Sequence, residues 1–86
     1  MNISVELTLT PLQDDYEPAI INFIKKLRNS GLTVIENPLS TQVYGDYDTV
    51  MSLLQIEMKI ALQAVERGLL YIKIVKSDRS DYEPHF

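Results

Sequence analysis

Catalysis needs groups that move protons or attack a substrate, and this chain offers few of them. Its only histidine is His85, one residue from the end, and it has no cysteine. No Ser/His/Asp or Cys/His set can be assembled from such an inventory. The carboxylates come closest to a cluster: Asp14 and Asp15 precede one helical pattern, and Asp46 and Asp48 precede another. Short carboxylates at those places read as helix N-caps. Without histidine or cysteine beside them they would give at most a weak site for a hard cation. Glycine occurs only at 31, 45 and 68, so there is no glycine-rich cradle for phosphate. The expectation is a protein that is not an enzyme and has no metal and no cofactor of its own.

Hydroxyls, a few carboxylates and phenols remain, and their use depends on the elements that hold them. Ile3, Val5, Leu7 and Leu9 alternate with Ser4, Glu6, Thr8 and Thr10, the period of a half-buried strand. Pro11 ends it. Asp14 or Asp15 then caps a helix with Pro18 in its first turn. Ile20, Phe23, Ile24 and Leu27 form its apolar stripe, and Gly31 stops it. Leu32 to Glu36 and Leu39 to Tyr44 read as short strands joined through Asn37-Pro38. A second helix runs from Asp46 or Asp48 to about Arg67, with Gly68 as its stop, and Leu70 to Lys76 is the last strand. The order is β-α-β-β-α-β. Right-handed crossovers fold such a chain into a ferredoxin-like α+β domain, a four-stranded antiparallel sheet with both helices on one face. The domain spans residues 1–76, and the polar tail, 77–86, is expected to be loose unless a partner chain holds it.

The two stripes predict one core of Ile3, Val5, Leu7, Leu9, Phe23, Ile24, Leu27, Leu54, Met58, Ala61, Ile72 and Ile74. The sheet's other face is left bare and carries Ser4, Glu6, Thr8, Tyr71 and Lys73, either as wetted surface or as a surface for a ligand or partner. On the second helix, Val50, Met51, Leu54, Met58, Ala61, Leu62 and Val65 make the core stripe. Leu53, Ile56 and Ile60 make a second ridge. That ridge is assigned to contact with another subunit, the alternative being contact with the first helix or the tail. An 86-residue domain also has a thin stability margin. Both points lead to an expected homodimer or homotetramer. A net charge of −4 with scattered bases argues against nucleic acid and anionic lipid. No apolar run approaches the ~20 residues of a membrane helix. The N-terminus lacks a basic region and an apolar leader, which together with the missing cysteines gives a cytoplasmic expectation.

The segment Val5-Glu6-Leu7-Thr8-Leu9-Thr10-Pro11-Leu12, followed by Asp14-Asp15-Tyr16, resembles the opening of a YkoF-type thiamine/hydroxymethylpyrimidine-binding repeat. Leu39-Ser40-Thr41-Gln42-Val43-Tyr44-Gly45-Asp46-Tyr47-Asp48-Thr49-Val50-Met51 resembles its third strand and the entry to its second helix. The chain is also similar in length to the single-repeat thiamine-binding proteins of that superfamily. The resemblance implies a ferredoxin-like fold, a cytoplasmic binder of thiamine or its hydroxymethylpyrimidine moiety, and paired subunits or repeats. It implies ligand contacts at Ser40-Thr41 and at Thr8. The aromatic positions of the family's first strand are Val5, Leu7 and Thr10 here, so stacking would fall to Tyr44 or Tyr71.

The ligand's chemistry suits these residues. An aminopyrimidine edge sets an amine donor beside ring-nitrogen acceptors, which the hydroxyls of Ser40, Thr41 and Thr8 and the carboxylate of Glu6 can read. The thiazolium cation suits an acidic protein and a tyrosine face. Lys73 alone on that face argues against a preference for the diphosphate. The expected function is a non-enzymatic binder in vitamin salvage, transport or sensing. The alternative is a protein-interaction or regulatory module that oligomerises through its sheet face and second helix and takes no small ligand.

Overall fold

The period-two stretch at the start of the chain becomes the central strand of the molecule. In a computed structural model describing residues 1–86, the elements run β1 (Asn2–Pro11), α1 (Glu17–Arg28), β2 (Thr33–Glu36), β3 (Thr41–Asp46), α2 (Tyr47–Gln63) and β4 (Gly68–Val75). The sheet order is β2-β3-β1-β4, and every neighbouring pair is antiparallel. Ser4 faces Tyr44 and Val75, Glu6 faces Gln42 and Lys73, and Leu7 faces Thr41 and Ile72. Opposed residues share a face, so the bare side carries Ser4, Glu6, Thr8, Gln42, Tyr44, Tyr71 and Lys73. This is the ferredoxin-like α+β fold, with β1 and β3 at the centre and β2 and β4, the strands that follow the two helices, at the edges.

The core lies between β1, β3 and the two helices. Ile3, Val5, Leu7, Leu9, Phe23, Leu27, Val43, Val50, Leu54 and Ala61 form one buried cluster, with Met58 packed partly against it. Three expected members are missing. Ile24 is only half-buried and stands outside the cluster. Ile72 and Ile74 are 37% and 47% exposed, although both lie on the helix side of the sheet. The reason is position: β4 is an edge strand, and the two helices shield the centre of the sheet better than its rim.

The local signals also shift. Neither Asp14 nor Asp15 caps α1, whose N-cap is Tyr16 with no side-chain cap bond. The segment before it is tied elsewhere: Gln13 Nε2 donates to the Asp15 carbonyl at 2.8 Å, and its Oε1 accepts from the Glu66 N–H at 3.2 Å. Asp46 does cap α2, accepting from the Thr49 N–H at 3.3 Å. The second helix ends at Gln63 rather than near Arg67. Gly31 has φ +87° just beyond α1, the backbone geometry that a stop glycine supplies.

The beginning of the tail is held, not loose. Ser4 Oγ donates to the Ser77 carbonyl at 2.7 Å and accepts from the Arg79 N–H at 2.9 Å. The tail thereby crosses one end of the bare sheet face and buries Ser4. The flanks of α2 differ as well. Right-handed crossovers put α1 on one side of α2 and β4 on the other. At 100° per residue, Leu53 and Ile60 then turn toward α1, and Met51, Met58 and Leu62 toward the β4 side. Leu53 packs against the core, while Ile56 and Ile60 remain exposed.

Candidate functional site

The turn from Asn37 to Ser40 builds its own shape. Asn37 Oδ1 accepts from the N–H groups of Leu39 and Ser40, both at 3.0 Å. The Asn37 N–H donates to the Ser40 carbonyl at 3.1 Å. An asparagine that mimics a backbone turn, followed by a proline with fixed φ, needs no support from elsewhere. The turn joins the end of β2 to the start of β3, level with Thr8 of β1 and across from the inner face of α1. Between turn and helix lies a cavity of about 160 Å³. Ile20, Phe23 and Ile24 wall it from α1, Leu7 and Leu9 from β1, and Pro38 and Leu39 from the turn.

Its polar groups gather at one rim: Thr8, Asn37, Ser40 and Thr41. Most are already committed in a defined direction. Thr8 Oγ1 donates to the Leu39 carbonyl at 3.3 Å. Ser40 Oγ donates to Glu6 Oε2 at 3.0 Å and accepts from Gln42 Nε2 at 2.6 Å. A carbonyl and a carboxylate only accept, so both hydroxyl protons are spent on them; Thr8 keeps its lone pairs and Ser40 the one that Gln42 does not take. Thr41 differs. It is 5% exposed, it makes no side-chain hydrogen bond within the protein, and no buried polar atom of the molecule is sealed without a partner. Its hydroxyl is therefore not sealed, and the residue lines the cavity.

The residues singled out from the sequence divide between two places. Thr8, Ser40 and Thr41 line the α1-side cavity. Glu6 and Tyr44 lie on the bare face, where they line a second hollow of about 150 Å³ with Ser4, Gln42, Lys73 and Arg79. The Ser40–Glu6 hydrogen bond joins the two. Tyr71 faces Thr8 across the β1–β4 pair and lines neither. Thr41 opposes Leu7 and so belongs to the helix side of the sheet, not the bare face. Burial raises the Tyr44 phenol pKa, with the nearby charges of Asp78 and Glu6 acting in the same direction. Arg79 brings to this face a second cation beside Lys73 that sequence reading did not place there. The apolar walls at Ile20, Phe23 and Ile24 were also missed as site residues, because their helical spacing is that of a core stripe.

No group of three or more His, Cys, Asp or Glu residues is placed to hold a metal. No helix is long and apolar enough to cross a membrane.

A family model for thiamine-binding proteins matches residues 5–86. No curated protein is significantly similar in sequence. Among solved structures, a Streptococcus pneumoniae protein superposes with TM-score 0.83 at 24% identity, over 94% of this chain and 92% of that one. A Thermotoga maritima protein named as a candidate for thiamine biosynthesis or salvage gives TM-score 0.80 at 20% identity, over 90% and 85%. A domain of unknown function from Bacillus cereus gives 0.75 at 16%, over 91% and 78%. At these identities the structural likeness speaks for the fold alone.

Proposed function

The chain belongs to the thiamine-binding protein family, and on that premise we propose that the α1-side cavity takes the aminopyrimidine ring of thiamine or of free hydroxymethylpyrimidine. The ring is bound without chemical change. The Thr41 hydroxyl carries this reading: an unpartnered donor and acceptor at the polar rim of an otherwise apolar slot. Binding sites for small molecules have this composition, mostly apolar with a few convergent polar groups. The polarity of the rim matches the ring. Thr8 and Ser40 offer lone pairs to an exocyclic amine, and Thr41 is free to donate to the neighbouring ring nitrogen.

Size divides the ligand. The cavity of about 160 Å³ lies below the roughly 300 Å³ at which pockets begin to enclose drug-sized molecules. It suits one six-membered ring, and the thiazolium would extend outward. Thr8, Ser40 and Thr41 are ligand contacts in this account. Glu6 acts through Ser40. Tyr44 and Tyr71 are left to the bare face.

The remaining expectations join this proposal. The protein is a cytoplasmic carrier, salvage component or sensor with no acid–base machinery. Its sole histidine is an exposed residue of the tail. Self-association as a homodimer or homotetramer is part of the same proposal. A thermal-shift comparison of thiamine, hydroxymethylpyrimidine and the 4-oxo analogue of thiamine tests the ligand. A ligand at 100 times its Kd adds about 2.7 kcal/mol to stability. Shifts with both amino compounds and little with the oxo analogue support the reading. Equal shifts with all three, or none with any, contradict it.

A further inference from the structure

The ring-binding proposal leaves the hollow on the bare sheet face unused. That hollow of about 150 Å³ is built from three strands and the tail: Ser4 and Glu6 of β1, Gln42 and Tyr44 of β3, Lys73 of β4, and Arg79 beyond β4. Ser4 brings the tail to it. The Ser4 hydroxyl donates to the Ser77 carbonyl at 2.7 Å and accepts from the Arg79 N–H at 2.9 Å. Arg79 Nε donates to Ser77 Oγ at 2.8 Å. The guanidinium is thereby fixed at the hollow, and its two terminal nitrogens make no hydrogen bond within the protein.

The charges around the hollow are unequally engaged. The protein's two ion pairs are Met1–Asp46 and Arg28–Glu36. Lys73 and Arg79 therefore have no carboxylate partner, although Glu6 opposes Lys73 across the β1–β4 pair. The carboxylates are held elsewhere. Glu6 Oε2 accepts from Ser40, and Asp78 Oδ1 accepts from the N–H and the hydroxyl of Ser80. The Tyr44 hydroxyl makes no hydrogen bond within the protein. Burial and the charges of Asp78 and Glu6 keep its proton on. The hollow thus offers an ammonium, a guanidinium and a phenol as free donors. Against them stands one free carboxylate oxygen, Glu6 Oε1.

We infer that this hollow binds a phosphoryl group that carries a proton, as inorganic phosphate or as a phosphate monoester. Lys73 and Arg79 balance its charge, and the fork of a guanidinium matches two oxygens of a tetrahedral oxyanion. The Tyr44 hydroxyl donates to a third. The protonated oxygen donates to Glu6 Oε1. Sulfate has the same shape but no proton near neutral pH, so the Glu6 carboxylate repels it. Lys73 alone would be a point charge on an open face. The tail pinned by Ser4 adds the second cation and makes the face a site.

The inference stands apart from ring binding, because its first probe is inorganic phosphate. Calorimetry at low salt should show saturable phosphate binding to the unmutated protein and at least about tenfold weaker binding of sulfate. Lys73→Met and Arg79→Met should each weaken phosphate binding by at least about tenfold. Both side chains are exposed, so circular dichroism should not change. Ser4→Ala should weaken it with both cations present, and should add little further loss to Arg79→Met. If Ser4→Ala does not fold, the Lys73 and Arg79 variants still decide. Glu6→Gln should let sulfate bind. Thiamine monophosphate binding more tightly than thiamine, with the gain abolished by Lys73→Met, assigns the group to an ester. Phosphate binding without that gain assigns it to free phosphate. No phosphate binding, together with equal affinities for thiamine and its monophosphate, overturns the inference. So does phosphate binding that Lys73→Met and Arg79→Met leave intact. Sulfate bound as tightly as phosphate overturns the role of Glu6.

Discussion

The hydroxyl of Ser40 donates to the carboxylate of Glu6 at 3.0 Å, across 34 positions of sequence. One residue rims the α1-side cavity and the other lies on the bare sheet face. The bond fixes the Ser40 proton, and with Gln42 on one lone pair the hydroxyl has one acceptor position left. In the proposed site Glu6 is thus a positioning residue for a cavity it does not line.

Glu6→Ala should therefore weaken thiamine binding by about two- to fivefold, the order of one modest hydrogen bond, with little change in stability. Ser40→Ala should do the same. The double variant should lose no more than the larger single loss, because both changes break one link. A double-mutant cycle by calorimetry checks this; additive losses would mean that Glu6 and Ser40 act separately.

Tyr44 should ionise at higher pH than an ordinary tyrosine. Burial favours the neutral phenol, and Asp78 and Glu6 oppose the phenolate. A group with a raised folded-state pKa contributes stability that is complete below its ordinary value of about 10. That contribution is lost as pH rises through the raised value. Phenolate absorbance in the unmutated protein and in Tyr44→Phe isolates the titration, and Asp78→Asn should bring it partway down.

Glu36 should titrate below the usual carboxylate range. The hydrogen bond from Arg28 is the main cause; desolvation opposes it, and the Arg28 charge adds a lesser lowering. A depressed carboxylate contributes stability above its ordinary pKa and loses it as pH falls through the folded value. The pair is exposed, so the contribution is small and screened by salt. NMR titration of Glu36 in Arg28→Ala should show the pKa returning toward normal.

The fold was legible because β1 alternates cleanly over eight residues and each helix carries a core-facing apolar stripe. Those patterns report burial, and burial is what the fold decides first. Asp14 and Asp15 misled because a short carboxylate before a helical pattern signals a cap, whereas here Gln13 anchors the loop to the end of α2. Ile72 and Ile74 misled because period two reports which face a residue takes, not how far the helices reach over it. At the site, the resemblance grouped Thr8, Ser40 and Thr41, and strand parity alone could have put Thr41 on the helix side with Val43. The walls at Ile20 and Ile24 were not legible as such. A cavity wall and a core face have the same spacing, and only the Asn37–Ser40 turn standing off α1 separates them.

The central claim, that the Thr41 hydroxyl reads the ring in the α1-side cavity, is tested most directly by isothermal titration calorimetry of thiamine with the unmutated protein and with Thr41→Val. Valine keeps the shape, and no internal hydrogen bond is lost, so the fold should be undisturbed. The account predicts saturable binding to the unmutated protein. It predicts a loss of about 0.5–1.5 kcal/mol in the variant, roughly two- to twelvefold in Kd. Thiamine affinity unchanged by Thr41→Val, or no binding by the unmutated protein, would contradict it.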